Sequence, residues 1–232
     1  MNKIFSLLEF LAVFSALVLP TFFAPNSADV ITLDFSHGYT AATFFLFAVS
    51  VFIYLIEKKF AEKTENSALV IKISYGNICL GMIFLVSAIF QTAGFLLEKE
   101  GFQFFQNDKI IFPKNIFYLM NFLAGTFCAA FYEEILYRFY LPESLKRNFK
   151  ILTSGKLDSK KSKQADFVFE LAPALIFAFS HIYLGFLAVL NAFFSGIILR
   201  ICMRKTKSVF VPAIIHCIYN FSVFAAIRFT AF

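Results

Sequence analysis

Long apolar runs, each near the ~20 residues that cross a bilayer as a helix, alternate along this chain with short stretches rich in Lys, Asp and Glu. Seven runs can be drawn, at roughly 4–23, 38–56, 74–97, 115–141, 168–184, 185–203 and 208–230. Such lengths predict helices, which satisfy their own backbone groups in lipid, rather than barrel strands. The fifth and sixth runs are nearly continuous and predict a tight helical hairpin around Tyr183, Leu184 and Gly185. The first run, behind Lys3, has the outline of a signal peptide, but no small-x-small cleavage site follows it, so a retained helix is expected. The expected fold class is therefore all-α: a polytopic membrane helical bundle of about seven transmembrane helices, with eight as the alternative count.

Composition agrees with this pattern. The chain is 59% hydrophobic and 16% charged, with a mean hydropathy of +0.75. Its 36 Phe and absent Trp read as lipid-facing drift without functional content. The net charge of +6 does not predict a nucleic-acid partner, because the basic residues cluster in loops beside apolar runs, as the positive-inside rule describes. With the N-terminus inside, 17 of the 21 Lys and Arg fall on the inner side; Lys99, Lys109, Lys114 and Arg228 fall outside. The expectation is an integral protein of the cytoplasmic membrane, N-terminus cytoplasmic and C-terminus outside. The longest inner loop, about Pro142 to Ala165, is strongly basic and suits anionic headgroups of membrane lipids. The four cysteines, Cys79, Cys128, Cys202 and Cys217, all lie in apolar runs without a CxxC pair, so neither a zinc knuckle nor a disulfide framework is expected.

Three polar groups stand out against this background. Glu133, Glu134 and Arg138 lie inside the fourth run, and charge at bilayer depth marks a functional site facing the bundle interior. On a helix Glu134 and Arg138 are i and i+4, the favourable order for an ion pair. Glu133 is turned about 100° away, which leaves it as a carboxylate in a low-dielectric site, available as a base. His181 lies in the fifth run; with Phe so abundant, its spacing from Phe177 carries little weight by itself. His216 and Asn220 lie in the seventh run at i and i+4, on one helix face. At ~1.5 Å per residue, Glu133 and His216 each sit ~12 Å from the inner ends of their spans and His181 ~15–20 Å, so the three can meet at one level.

These groups suit one class of chemistry. A carboxylate with a histidine can activate water, and a second histidine with an amide can stabilise an oxyanion. That is acyl-bond hydrolysis without a covalent intermediate. No H-E-x-x-H helix is present and no aspartate lies in any span. A serine–histidine dyad drawn from Ser195 lacks the glycine expected two residues earlier, where Phe193 stands. A non-catalytic membrane immunity or scaffold protein using the same pocket is the main alternative. A proton-coupled transporter built on Glu133 and His181 would need a polar path to both faces.

Glu133-Glu134-x-x-x-Arg138, Phe177-x-x-x-His181 and His216-x-x-x-Asn220, in that order, resemble the CPBP family, which includes type II CAAX prenyl endopeptidases, bacteriocin-processing and self-immunity proteins, and lysostaphin resistance protein A-like proteins. The resemblance divides the chain into N-terminal transmembrane helices (1–114), a catalytic core (115–223) and the end of the last helix (224–232). It implies an intramembrane glutamate endopeptidase cutting a peptide or protein, with or without a lipid modification, near the cytoplasmic face. Glu133 would activate water with His181, His216 and Asn220 would form the oxyanion pair, and Glu134 and Arg138 would support. The favoured mechanism needs no cofactor; an older view of the family makes Glu133, His181 and His216 ligands of a divalent metal such as zinc. This chain departs in carrying Phe139 where many members have Gly.

Overall fold

In the computed structural model, which describes residues 3–23, 32–60, 68–100, 109–153 and 159–230, the apolar runs fold as helices. The first is α1, Lys3–Val13, continuing into a π-helical turn, Phe14–Val18, and a 3-10 turn, Leu19–Phe23. Pro20 ends the regular ladder because it has no N–H to donate. Then follow α2 (Ala41–Phe60), α3 (Leu69–Lys99) and α4 (Ile116–Glu133). A π-helical segment, Glu134–Tyr140, joins α4 to α5 (Leu141–Leu152). The chain finishes with α6 (Ser159–Phe179), α7 (Phe186–Thr206) and α8 (Phe210–Thr230). Six stretches among the described residues are long and apolar enough to cross a membrane: Ile4–Phe22, Ala41–Lys58, Leu69–Lys99, Ile116–Leu152, Phe186–Thr206 and Phe210–Arg228. The protein is an all-α polytopic membrane bundle. The fifth apolar run forms only the second half of α6, whose first half is Lys-rich; it packs along α7.

The expected hairpin between α6 and α7 is a 3-10 turn, Ile182–Leu184, closed by Gly185 at φ 95°, a conformation glycine adopts without strain.

Two features differ from the sequence reading. The start of the supposed basic loop is helix α5. Pro142 occupies its first turn, where the fixed φ of proline suits a helix start, and Leu141, Ser144 and Asn148 are buried while Glu143 and Lys150 face outward. Part of that loop, 154–158, lies outside the described residues. The second is a pair of three-residue strands, β1 (Thr32–Asp34) and β2 (Lys109–Ile111), parallel and in register Thr32↔Lys109. They tie the connection after α1 to the one before α4, so both lie at one end of the bundle, as alternating spans require.

Each end of the bundle is pinned differently. Beside the strands, Phe35, Tyr39, Phe112, Phe122 and Phe224 interlock, with Phe35–Phe122 and Phe122–Phe224 centroids each 5.1 Å apart. The Tyr39 N–H donates to Asn121 Oδ1 at 2.6 Å, and its ring lies flat against Gly125, where any Cβ would collide with it. At the opposite end Arg147 of α5 donates to both Glu57 oxygens of α2 (2.6 and 2.5 Å), to Glu9 of α1 (2.9 Å) and to Ser6 (3.2 Å). One guanidinium thereby holds three helices, a role its planar fork suits better than a lysine ammonium does. Arg147→Ala leaves two carboxylates facing each other without a cation. We expect a loss on the order of 2 kcal/mol, read as a lowered melting midpoint of the detergent-solubilised protein.

Candidate active site

The polar groups singled out in the sequence converge at the α4–π junction. Glu133 is the last residue of α4 and Glu134 the first of the π-helical segment. π-Turns recur at functional sites because the wider turn re-aims side chains. Glu134 is fully buried, at 0% exposure. One of its oxygens, Oε1, accepts from His216 Nδ1 at 2.9 Å. The other, Oε2, stands 3.4 Å from Arg138 Nε, an ion pair rather than a hydrogen bond. Glu133 is the more accessible carboxylate, its side chain 25% exposed, and its Oε2 faces His216 Nε2 at 3.8 Å. Glu134 is the more enclosed of the two carboxylates: α8 hydrogen-bonds its Oε1, and its Oε2 faces Arg138 without a hydrogen bond among the described residues.

Hydrogen-bond chemistry fixes both imidazoles. His181 Nδ1 lies 2.9 Å from the Phe177 carbonyl, an oxygen that can only accept, so Nδ1 carries the proton and neutral His181 has its lone pair on Nε2. The Ser180 hydroxyl donates to the same carbonyl at 2.7 Å. Against an ionised Glu134, His216 Nδ1 is likewise the donor, and its Nε2 is turned toward Glu133. Both histidines are anchored by Nδ1. Asn220, half-buried one turn beyond His216 on α8, makes no hydrogen bond to these groups among the described residues.

The sequence reading set aside the residue that joins them. The Phe177 ring lies under the Arg138 guanidinium, 3.7 Å from Cζ to centroid, a desolvated cation–π contact. Its centroid is 4.6 Å from that of His181, 6.3 Å from that of His216 and 5.2 Å from that of Tyr137. Gly196 of α7 completes the seat: a Cβ there would stand 3.3 Å from Arg138 Nη2 and 3.5 Å from Phe177 Cδ1. The available signal was position rather than composition, since Phe177 is one helical turn before an intramembrane histidine. Phe139 packs on Tyr54, with ring centroids 5.0 Å apart.

Other expectations resolve here too. Ser195 is buried and its hydroxyl has no hydrogen-bond partner among the described residues. The cysteines are free and buried. Elsewhere in the bundle Tyr219 links Asn191 (3.1 Å) and Ser87 (3.0 Å), and Ser87 is bonded by Gln91 (3.1 Å). Beside the site, between α2, α4 and α8, lies an apolar cavity of about 500 Å³ lined by Phe47, Val51, Tyr54, Phe131, Ile135 and Ile214 among others. Among the described residues, no three His, Cys, Asp or Glu side chains gather as a metal-ligand set.

Residues 115–222 match the family model described as "Type II CAAX prenyl endopeptidase Rce1-like". No curated protein and no solved structure matches the chain.

The geometry makes Glu134 the keystone of folding here. Glu134→Gln would leave the Arg138 guanidinium, 2% exposed, buried without a counter-ion. The expected cost is about 3 kcal/mol, measured as a fall in thermal midpoint and in the monodisperse fraction after solubilisation.

Proposed function

We propose that this chain, whose residues 115–222 match the Rce1-like model of type II CAAX prenyl endopeptidases, is an intramembrane glutamate endopeptidase. The match supports a CAAX-type membrane protease in general. The observation that carries it is the division of labour between adjacent glutamates. Glu134 is consumed by Arg138 and His216, whereas Glu133 is partly exposed and has no hydrogen bond of its own among the described residues.

Glu133 takes a proton from water, and the His181 Nε2 lone pair orients that water. The hydroxide adds to the scissile carbonyl carbon. His216 in its protonated form donates Nε2–H to the oxyanion while Glu134 holds its Nδ1–H, and the Asn220 amide adds a second donor. The protonated Glu133 then gives its proton to the leaving amine as the C–N bond breaks.

The substrate class is a peptide or protein, and the apolar cavity beside the glutamates suits a hydrocarbon chain attached near the cut. The excess of Lys and Arg at the α5 end supports a cytoplasmic cut. We expect Glu133→Gln to lower turnover by about 10²–10⁴-fold with the protein still folded and inserted, and His181→Ala to act similarly. Comparing C-terminal peptides by mass spectrometry in cells carrying the intact chain and the Glu133→Gln variant tests this. Identical peptide sets, with the variant retaining its biological effect, would favour a scaffold or immunity role instead.

A further inference from the structure

Arg200 lies on α7, is 7% exposed and takes no part in the reaction as proposed. It is nonetheless fully engaged. Nε donates to Glu170 Oε2 at 2.6 Å and Nη2 to Glu170 Oε1 at 2.9 Å. Nη2 also donates to Glu143 Oε1 at 3.0 Å, and Nη1 donates to the backbone carbonyl of Arg138 at 2.5 Å. The last bond is the informative one. Arg138 lies where the π-helical segment gives way to α5 at Leu141; in the α register taken up there its carbonyl would accept from the N–H four residues on, but that residue is Pro142, which has none. A buried carbonyl without a donor is costly, and Arg200 supplies the donor from another helix.

The same helix meets the other end of Arg138. Gly196, one turn earlier on α7, gives the guanidinium room against Phe177. Arg138 is thus held at its side chain by the gap at Gly196 and at its backbone by Arg200. Through the Arg138–Glu134 pair and the Glu134–His216 hydrogen bond, the rotation of the π-helical segment fixes where Glu133 and His216 Nε2 face each other.

We infer that Arg200 is a positioning residue for the active site: by supplying the donor that Pro142 withholds from the Arg138 carbonyl, it sets the rotation of the segment bearing Glu133, Glu134 and Arg138. The catalytic consequence rests on the peptidase reading above; the positioning does not. Glu170 and Glu143 aim the guanidinium, so a charge-retaining lysine keeps an ion pair and loses the fork.

The test uses the full chain in detergent, with R200K, P142A and the double variant. P142A restores an N–H at position 142 and removes the need for an outside donor. Two quantities are read: diethyl pyrocarbonate labelling of His216 by mass spectrometry, and kcat and KM on a peptide that the wild type cleaves. We expect R200K to label His216 severalfold faster, because Glu134 no longer holds Nδ1. Its kcat should fall by about 10- to 100-fold with KM within about twofold. P142A alone should behave as wild type, and the double variant should recover both readouts. An ion clamp acting only through Glu170 and Glu143 would not be rescued by P142A. Wild-type labelling in R200K, or equal labelling in R200K and the double variant, overturns the assignment. Should R200K fail to accumulate, accumulation of the double variant supports the assignment and failure of both overturns it. If labelling follows the expected order while the wild type cleaves no peptide, the positioning stands and the peptidase reading falls.

Discussion

A carboxylate with no exposed surface, inside a protein that itself lies in lipid, has to be answered by charge and hydrogen bonds from its neighbours. Glu134 is that carboxylate, and the arrangement of helices around it follows from its needs. Its partners come from the π-helical segment (Arg138) and from α8 (His216). Arg138 then needs a seat, which α6 supplies with the Phe177 ring and α7 with the gap at Gly196. One negative charge therefore recruits four elements. The site is not an addition to a finished core; at this level of the bundle it is the core.

The π-helical segment is where the backbone accommodates this demand. Regular α geometry beyond Glu133 would meet Pro142 and lose a bond; the wider turn and the contribution from α7 share that loss. The junction falls between the two glutamates, so the residue change from one role to the other coincides with the change in helical form. Two identical side chains, adjacent in sequence, are given different solvent access by backbone geometry: Glu134 at 0% exposure and Glu133 at 25% for its side chain.

Much of this was legible beforehand. The all-α membrane bundle follows from run length and hydropathy, which depend on the solvent and not on tertiary detail. The gathering of Glu133, Glu134, Arg138 and His216 follows from depth, since spans of fixed rise bring residues at equal depth to one level. Phe177 was illegible by composition, because 36 Phe residues make any spacing to His181 unremarkable; only its ring contacts distinguish it. The greater burial of Glu134 could not be read either, because its partner His216 is 82 residues away. Helix α5 was hidden by Pro142, a residue that signals a break in mid-helix and a beginning in the first turn. The short β1–β2 pair had no periodicity to reveal it.

The aromatic cluster near the strands has a mechanical consequence. Phe122 of α4 and Phe224 of α8 are locked together there with Phe35 and Phe112. The candidate site groups on the same helices lie further along, Glu133 roughly 16 Å from Phe122 and His216 roughly 12 Å from Phe224. At the site end the same helices meet again, through the Phe131 and Phe210 rings, 5.8 Å apart, and through the Glu134–His216 hydrogen bond. Fastened at both ends, α4 and α8 form a closed frame that fixes the spacing between the glutamates and His216.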